Sequence, residues 1–406
     1  MNSTASPAAT PLAPEQSSSA AAKTGNFKQR SNIREYGLMI ALLIIMVLFQ
    51  ALTNGTLLQP LNITNLVLQN GFIVVMALGM LMVIVAGHID LSIGSVAGFV
   101  GGMSAVLMVN HQMNFVLAFI LCLITGGVIG AAQGYWIAYL KIPSFIVTLA
   151  GMLVFRGLTY VMVGGSSIGP FPREFQLLSS GFISGDSSGS FHIVSMGIGV
   201  LMAATLFILA LRRRLTRQKH GYQGGPIWMF VAEQGIIAAL ILYLSYLLAS
   251  YRGLPNLLIV MGVLVAAFNF MTTRMTIGRR IYALGGNAKA AKLSGINTER
   301  LTFGTFITMG TLAALGGMII AARLNSATAK AGDGVELDVI AAVFIGGASA
   351  SGGVGKVLGA VVGAFIMGVM NNGMSIMGVG VDWQKIIKGL VLLAAVVFDV
   401  YNKNKV

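Results

Sequence analysis

The sequence predicts an all-α, polytopic membrane protein of about twelve spanning helices, some broken or re-entrant. Three observations predict it. Hydrophobic residues fill 56% of the 406 positions and charged residues only 9%, against about a quarter charged in a soluble domain. Apolar runs recur along the chain, long enough for a hydrocarbon core that takes roughly 20 helical residues to cross. These runs are continuous rather than alternating, which excludes a β-barrel.

The elements follow in chain order. Residues 1–33 are rich in Ala, Ser and Pro and read as a disordered cytoplasmic tail. Residues 34–406 form the transmembrane domain. Its spans fall at 36–53, 64–87, 92–109, 114–139, 143–163, 192–211, 227–250, 255–273, 302–322, 336–350, 354–371 and 384–401. An even number puts both termini on one side. With the N-terminus in the cytoplasm, nineteen of the 26 Lys and Arg lie on that side. The net charge of +14 is thus a topology signal rather than a nucleic-acid footprint. Lys385 and Lys388 fall against the bias. The Gly/Ser-rich stretch 164–191 is a periplasmic loop. Residues 274–301 are too polar to span and form a cytoplasmic segment. Cys122 is alone in an apolar run, so it is a packing residue, with no disulfide framework or metal set.

Two interruptions carry the functional signal. AGHIDLSIGS (86–95) places His88 and Asp90 between two apolar runs. A charge at mid-membrane costs roughly 2.5–3.5 kcal/mol, so Asp90 needs a purpose. The simplest is to cap the start of 92–109, where a carboxylate accepts backbone N–H groups. Broken helices at membrane depth also line cavities. A second break, FIGGASASGGVG (344–355), echoes the first, as in transporters with paired discontinuous helices. GGVGK (352–356) looks like a piece of a phosphate-binding loop, but Val357 stands where Ser or Thr is needed. The chain is not expected to hydrolyse ATP, nor to hold catalytic residues, a metal or a cofactor.

In the cytoplasmic segment, NAKAAKLSGIN (287–297) reads as a two-turn helix. Asn287 is its N-cap and Gly295 its left-handed stop. So short a helix needs something to dock against; an ordinary linker is the alternative.

Four blocks then stand in one order: GHIDLSIGS (87–95), KIPSFIVTLAGML.FRG (141–157, Val154 at the dot), GRRIYALGGNAKAAKLSGIN (278–297) and FIGGASASGGVG (344–355). They resemble the permease subunits of ribose/xylose-type ABC sugar importers, over residues from about 35 onward. The D-xylose and multiple-monosaccharide permeases are most similar, sharing an extra stretch near 165–252 that adds two spans to a ten-helix core.

The resemblance implies a homodimer in the bacterial inner membrane, fed by a periplasmic sugar-binding protein and driven by a cytoplasmic ABC ATPase subunit, with the lipid bilayer around it. It places the translocation path at His88, Asp90, Ser92, Thr148, Asn371 and Asn372. It places ATPase coupling at Asn287, Lys289, Ala290, Ala291, Leu293, Ser294 and Gly295. The family's EAA---G motif has Lys289 in place of Glu, and the family's GGIDLS becomes Gly87-His88-Ile89-Asp90-Leu91-Ser92. An ion-driven transporter is the rival from another class; it calls for more intramembrane carboxylates than Asp90, with Glu233, Asp338 and Asp399 nearer span ends.

Overall fold

A computed structural model describes residues 37–183, 191–221 and 226–403. The tail 1–33 lies outside the described residues, as do 184–190 of the periplasmic loop. The fold is helical, and every expected span corresponds to a helix. Among the described residues, nine helices are long and apolar enough to cross a membrane. These are α2 (Pro60–Val85), α3 (Ile93–Ala105, continued by a π-wound turn Val106–Asn110), α4 (Phe115–Ala138), α5 (Ser144–Val163), α7 (Ile193–Lys219), α8 (Ile227–Ala249), α9 (Asn256–Arg274), α12 (Thr298–Leu324) and α14 (Val357–Ile376). Three more take the remaining expected spans: α1 (Gly37–Leu52), α13 (Val335–Ile345) and α15 (Val381–Lys403). The short helices are α6 (Arg173–Ser180), α10 (Thr276–Gly286) and α11 (Ala288–Leu293).

The core is built on α2 and α12, which pack against each other and against α3, α4, α13 and α14. Met76, Leu78, Met80 and Leu81 of α2 are fully buried. A helix enclosed on all sides has no reason to be amphipathic, and α2 is apolar all round. Between membrane helices, small residues permit close backbone approach. A Cβ at Gly126 of α4 would stand 2.4 Å from the Gly310 carbonyl of α12, and one at Gly310 would stand 2.2 Å from the Gly126 carbonyl. Helices α7 and α8, which fall in the stretch 165–252, pack chiefly on each other. The buried residues of α8 are confined to its end: Ser245, Leu247, Leu248 and Ala249.

One of the expected spans, 336–350, is not a full crossing in one piece. At 11 residues, α13 is only about 16 Å long. The chain before it reaches down to meet α3: a Cβ at Gly98 would stand 2.3 Å from the Ala331 carbonyl. Lys388, which falls against the charge bias, is not in a loop. It lies within α15, and its Nζ is 3.0 Å from Asp338 Oδ2 on α13. A membrane-embedded ion pair, rather than a misplaced loop charge, explains its position.

Candidate functional site

The first break begins with the way α2 ends. Val85 is the last helical residue, Ala86 caps the helix and Gly87 follows at φ +87°. His88 N–H donates to the Val83 carbonyl at 3.0 Å, and Gly87 N–H to the Ile84 carbonyl at 2.9 Å. This is a Schellman stop, and only the left-handed residue permits it. The chain then turns on Asp90, which is 3% exposed. Its Oδ1 accepts the Ser92 N–H at 2.8 Å and the Ser92 hydroxyl at 2.7 Å. The expectation of a cap on the following helix is refined here. A short carboxylate reaches the N–H two residues on, so Asp90 holds the turn before α3 rather than the amides of its first turn.

Ser92 is also clasped by Gln133 of α4, whose Nε2 donates to its hydroxyl at 2.9 Å. Gly151 of α5 makes room for that amide: a Cβ there would meet Gln133 Nε2 at 2.4 Å. Thr148, fully buried, donates to Ser144 O at 2.9 Å and stands 3.5 Å from Ile89 O. His88 lies beside Phe306 of α12, ring centroids 5.8 Å apart. His88, Asp90, Ser92 and Thr148 are therefore one group.

The mid-membrane depth expected for Asp90 needs correction. Thr148 is in the second turn of α5, Gln133 five residues from the end of α4, and Phe306 eight residues into α12. At 1.5 Å per residue the break lies about 6–12 Å inside the ends marked by Ser144, Ala138 and Thr298. That is the end where Lys141 and Lys292 bind Glu299, at 3.2 and 3.0 Å.

The second break repeats the first. After α13, Gly347 takes φ +86°, its N–H bonds Phe344 O at 2.9 Å, and Ala348 N–H bonds Val343 O at 3.1 Å. The two breaks touch: Gly353 N–H donates to Val85 O at 2.9 Å. The end of α10 closes over the contact. A Cβ at Gly285 would stand 1.6 Å from Val85 O and 2.6 Å from Gly353 N. Tyr282 of α10 donates its hydroxyl to Gly355 O at 2.7 Å, and burial pushes that phenol above its ordinary pKa, so it stays a donor.

Directly after α10 comes the two-turn helix α11, as expected. Asn287 Oδ1 accepts Ala290 N–H at 3.0 Å. Gly295, at φ +79°, ends it, with Ile296 N–H on Ala291 O at 3.1 Å. Ala291 is buried, Lys289, Ala290 and Ser294 are exposed, and Leu293 is 90% exposed.

Asn371 and Asn372 lie elsewhere, toward the far end of α14. Asn371 donates to Asp338 Oδ2 at 3.2 Å. Asn372 exchanges amide bonds with Asn62 of α2 at 2.8 and 3.1 Å. Sequence reasoning missed Gln133, Arg156 and Glu336. Each is a polar residue inside an apolar run, a signal that was available. Arg156 pairs with Asp333, and its Nη2 is 4.0 Å from Glu336 Oε1.

Comparison with known proteins gives consistent results. The xylose transport system permease protein of Escherichia coli K12 is 38% identical over 374 residues, 92% of this chain and 93% of that one. The Haemophilus influenzae protein of the same name is 39% identical over 381 residues, 93% of this chain and all of that one. The ribose import permease protein of E. coli K12 is 32% identical over 368 residues, 90% of this chain and 93% of that one. No solved structure gives a significant match. The family described as "Branched-chain amino acid transport system / permease component" matches residues 62–396. With paired glycine-ended helix breaks beneath a short capped helix, and a match over most of its length, this chain belongs to that permease family.

Proposed function

We propose that the chain is the membrane subunit of an ATP-driven importer carrying a monosaccharide into a bacterial cytoplasm, D-xylose first among the candidates. Identity of 38–39% to the xylose permeases against 31–32% to the ribose permeases supports that order. The observation that carries the mechanism is the stack of α10 on both helix breaks. A cytoplasmic ATPase gripping α11 at Leu293 moves α10. Gly285 leaves no slack between α10 and the two breaks, so the displacement passes to Val85 and Gly353. The turn held by Asp90 and Ser92 then shifts relative to α4 and α5, opening or closing the inner end of the path. The step is passage, not bond-making. Lys289 is exposed, so docking rests on Leu293 and on the shape of α11.

The reading includes a second permease copy as homodimer partner, a periplasmic binding protein that delivers the sugar, and an inner-membrane location with both termini cytoplasmic. For orientation, we expect cysteine at exposed Gln218, in a Cys122→Ala chain, to be labelled by an impermeant reagent only in lysed spheroplasts. Cysteine at exposed Ser166 should label in intact ones. The opposite pattern reverses the topology. The transport reading is tested by reconstituting the permease with its ATPase and binding protein in proteoliposomes. ATP-dependent uptake of labelled D-xylose is expected. Uptake that persists without ATP under an ion gradient would replace it with an ion-coupled mechanism.

A further inference from the structure

Above the first break, on the side away from α10, lies a cavity of about 120 Å³ lined by Ser95, Arg156, Tyr160, Lys330 and Asp333, among others. That is many times the roughly 10–15 Å³ one water needs. Ser95 is one turn along α3 from Ser92. Arg156 is twelve residues into α5, about 18 Å from its Ser144 end. The cavity therefore stands well inside the membrane, one turn of α3 beyond the Asp90 turn.

Three properties set it apart from a structural ion pair. Arg156 and Asp333 are joined, yet their side chains remain 32% and 51% exposed. Charged groups at this depth face water or a polar solute rather than lipid. Ser95 is 3% exposed, and its Oγ has no hydrogen-bond partner among the described residues, where buried hydroxyls are normally paired. The lining also carries both signs: Arg156 and Lys330 share the wall with Asp333, and Glu336 stands behind Arg156 at 4.0 Å. A wall that offers guanidinium donors, a carboxylate acceptor and hydroxyl groups side by side suits a polyol, whose hydroxyls both donate and accept.

We propose that this cavity is a sugar-binding station on the outer side of the first break, in which Arg156 and Asp333 bind neighbouring sugar hydroxyls and Ser95 Oγ meets a third. The proposal rests on the monosaccharide-import reading and assigns its site. The test uses the complete importer in proteoliposomes, measuring labelled D-xylose and D-ribose uptake beside ATP hydrolysis stimulated by the binding protein. Ser95→Ala removes a hydroxyl that holds nothing in the empty chain. It should raise the apparent KM of uptake about three- to tenfold, the worth of one hydrogen bond, with stimulated hydrolysis unchanged. Arg156→Gln should raise it further. An unchanged KM in Ser95→Ala beside normal wild-type uptake overturns the station alone, whatever Arg156→Gln does. A wild-type importer that moves neither pentose overturns the transport reading and the station with it.

Discussion

Gly285→Ala is expected to cut sugar uptake about a hundredfold while Gly286→Ala leaves it near wild type. The two glycines are neighbours at the end of α10, but their surroundings differ. A Cβ at 285 would lie 1.6 Å from Val85 O and 2.6 Å from Gly353 N, whereas one at 286 meets nothing within 4 Å. The obstacles at 285 are backbone atoms, one at the end of α2 and one in the second break, so no side-chain rotation relieves them. Overpacking of this kind costs about 1–3 kcal/mol, and the upper figure corresponds to roughly a hundredfold in an equilibrium. That cost falls on the seam between α10 and the breaks. Binding-protein-stimulated ATP hydrolysis should therefore persist in part while uptake is lost. Normal uptake by Gly285→Ala, per amount of inserted permease, would show that α10 does not transmit force through this contact.

At Asp90 we expect Asn to retain uptake within about threefold and Leu to lose it roughly five- to a hundredfold. Both bonds of Asp90 run from Ser92 to one oxygen, Oδ1, and Asn offers the same oxygen. Leu offers none and leaves the Ser92 N–H unpaired in a buried turn, at about 1–3 kcal/mol, which is roughly five- to a hundredfold. The Ser92 hydroxyl keeps Gln133 as a partner. Equal failure of both variants would mean that the negative charge itself is used in transport. Full activity of Asp90→Leu would remove the turn from the gate.

The sequence carries some of these features plainly and others not at all, for physical reasons. Most spans are legible because their own composition suits hydrocarbon. The cap of α11 is legible because Asn287 and Gly295 act on residues only a few positions away. Even the Schellman ends of the two breaks could be foreseen from Gly87 and Gly347. What escaped is non-local. Nothing in the neighbourhood of Gly285 says that Val85 and Gly353 press on it, since those residues lie far off along the chain. The depth of Asp90 was misread for the same reason. A charge between two apolar runs looks central until the ends of α4, α5 and α12 are set beside it. Glu336 and Arg156 were passed over because what they meet is set by packing between segments distant in the chain. Only the descent of residues 325–334 toward α3 brings Asp333 to Arg156. Asn372 was placed in the path by resemblance, yet it is occupied by Asn62 in a reciprocal amide pair.

The Lys388–Asp338 pair bears on how the protein is made. Leaving Lys388 alone in hydrocarbon costs roughly 2.5–3.5 kcal/mol, and Asp382 and Lys385 lower the apolarity of α15 further. The counter-charge sits on α13, synthesised earlier in the chain. As α15 leaves the ribosome it is thus a poor membrane segment by its own composition. It becomes a good one only beside a helix already in place. Biogenesis of the C-terminal end is then ordered by electrostatics: α13 acts as the receptor that retains α15 in the bilayer.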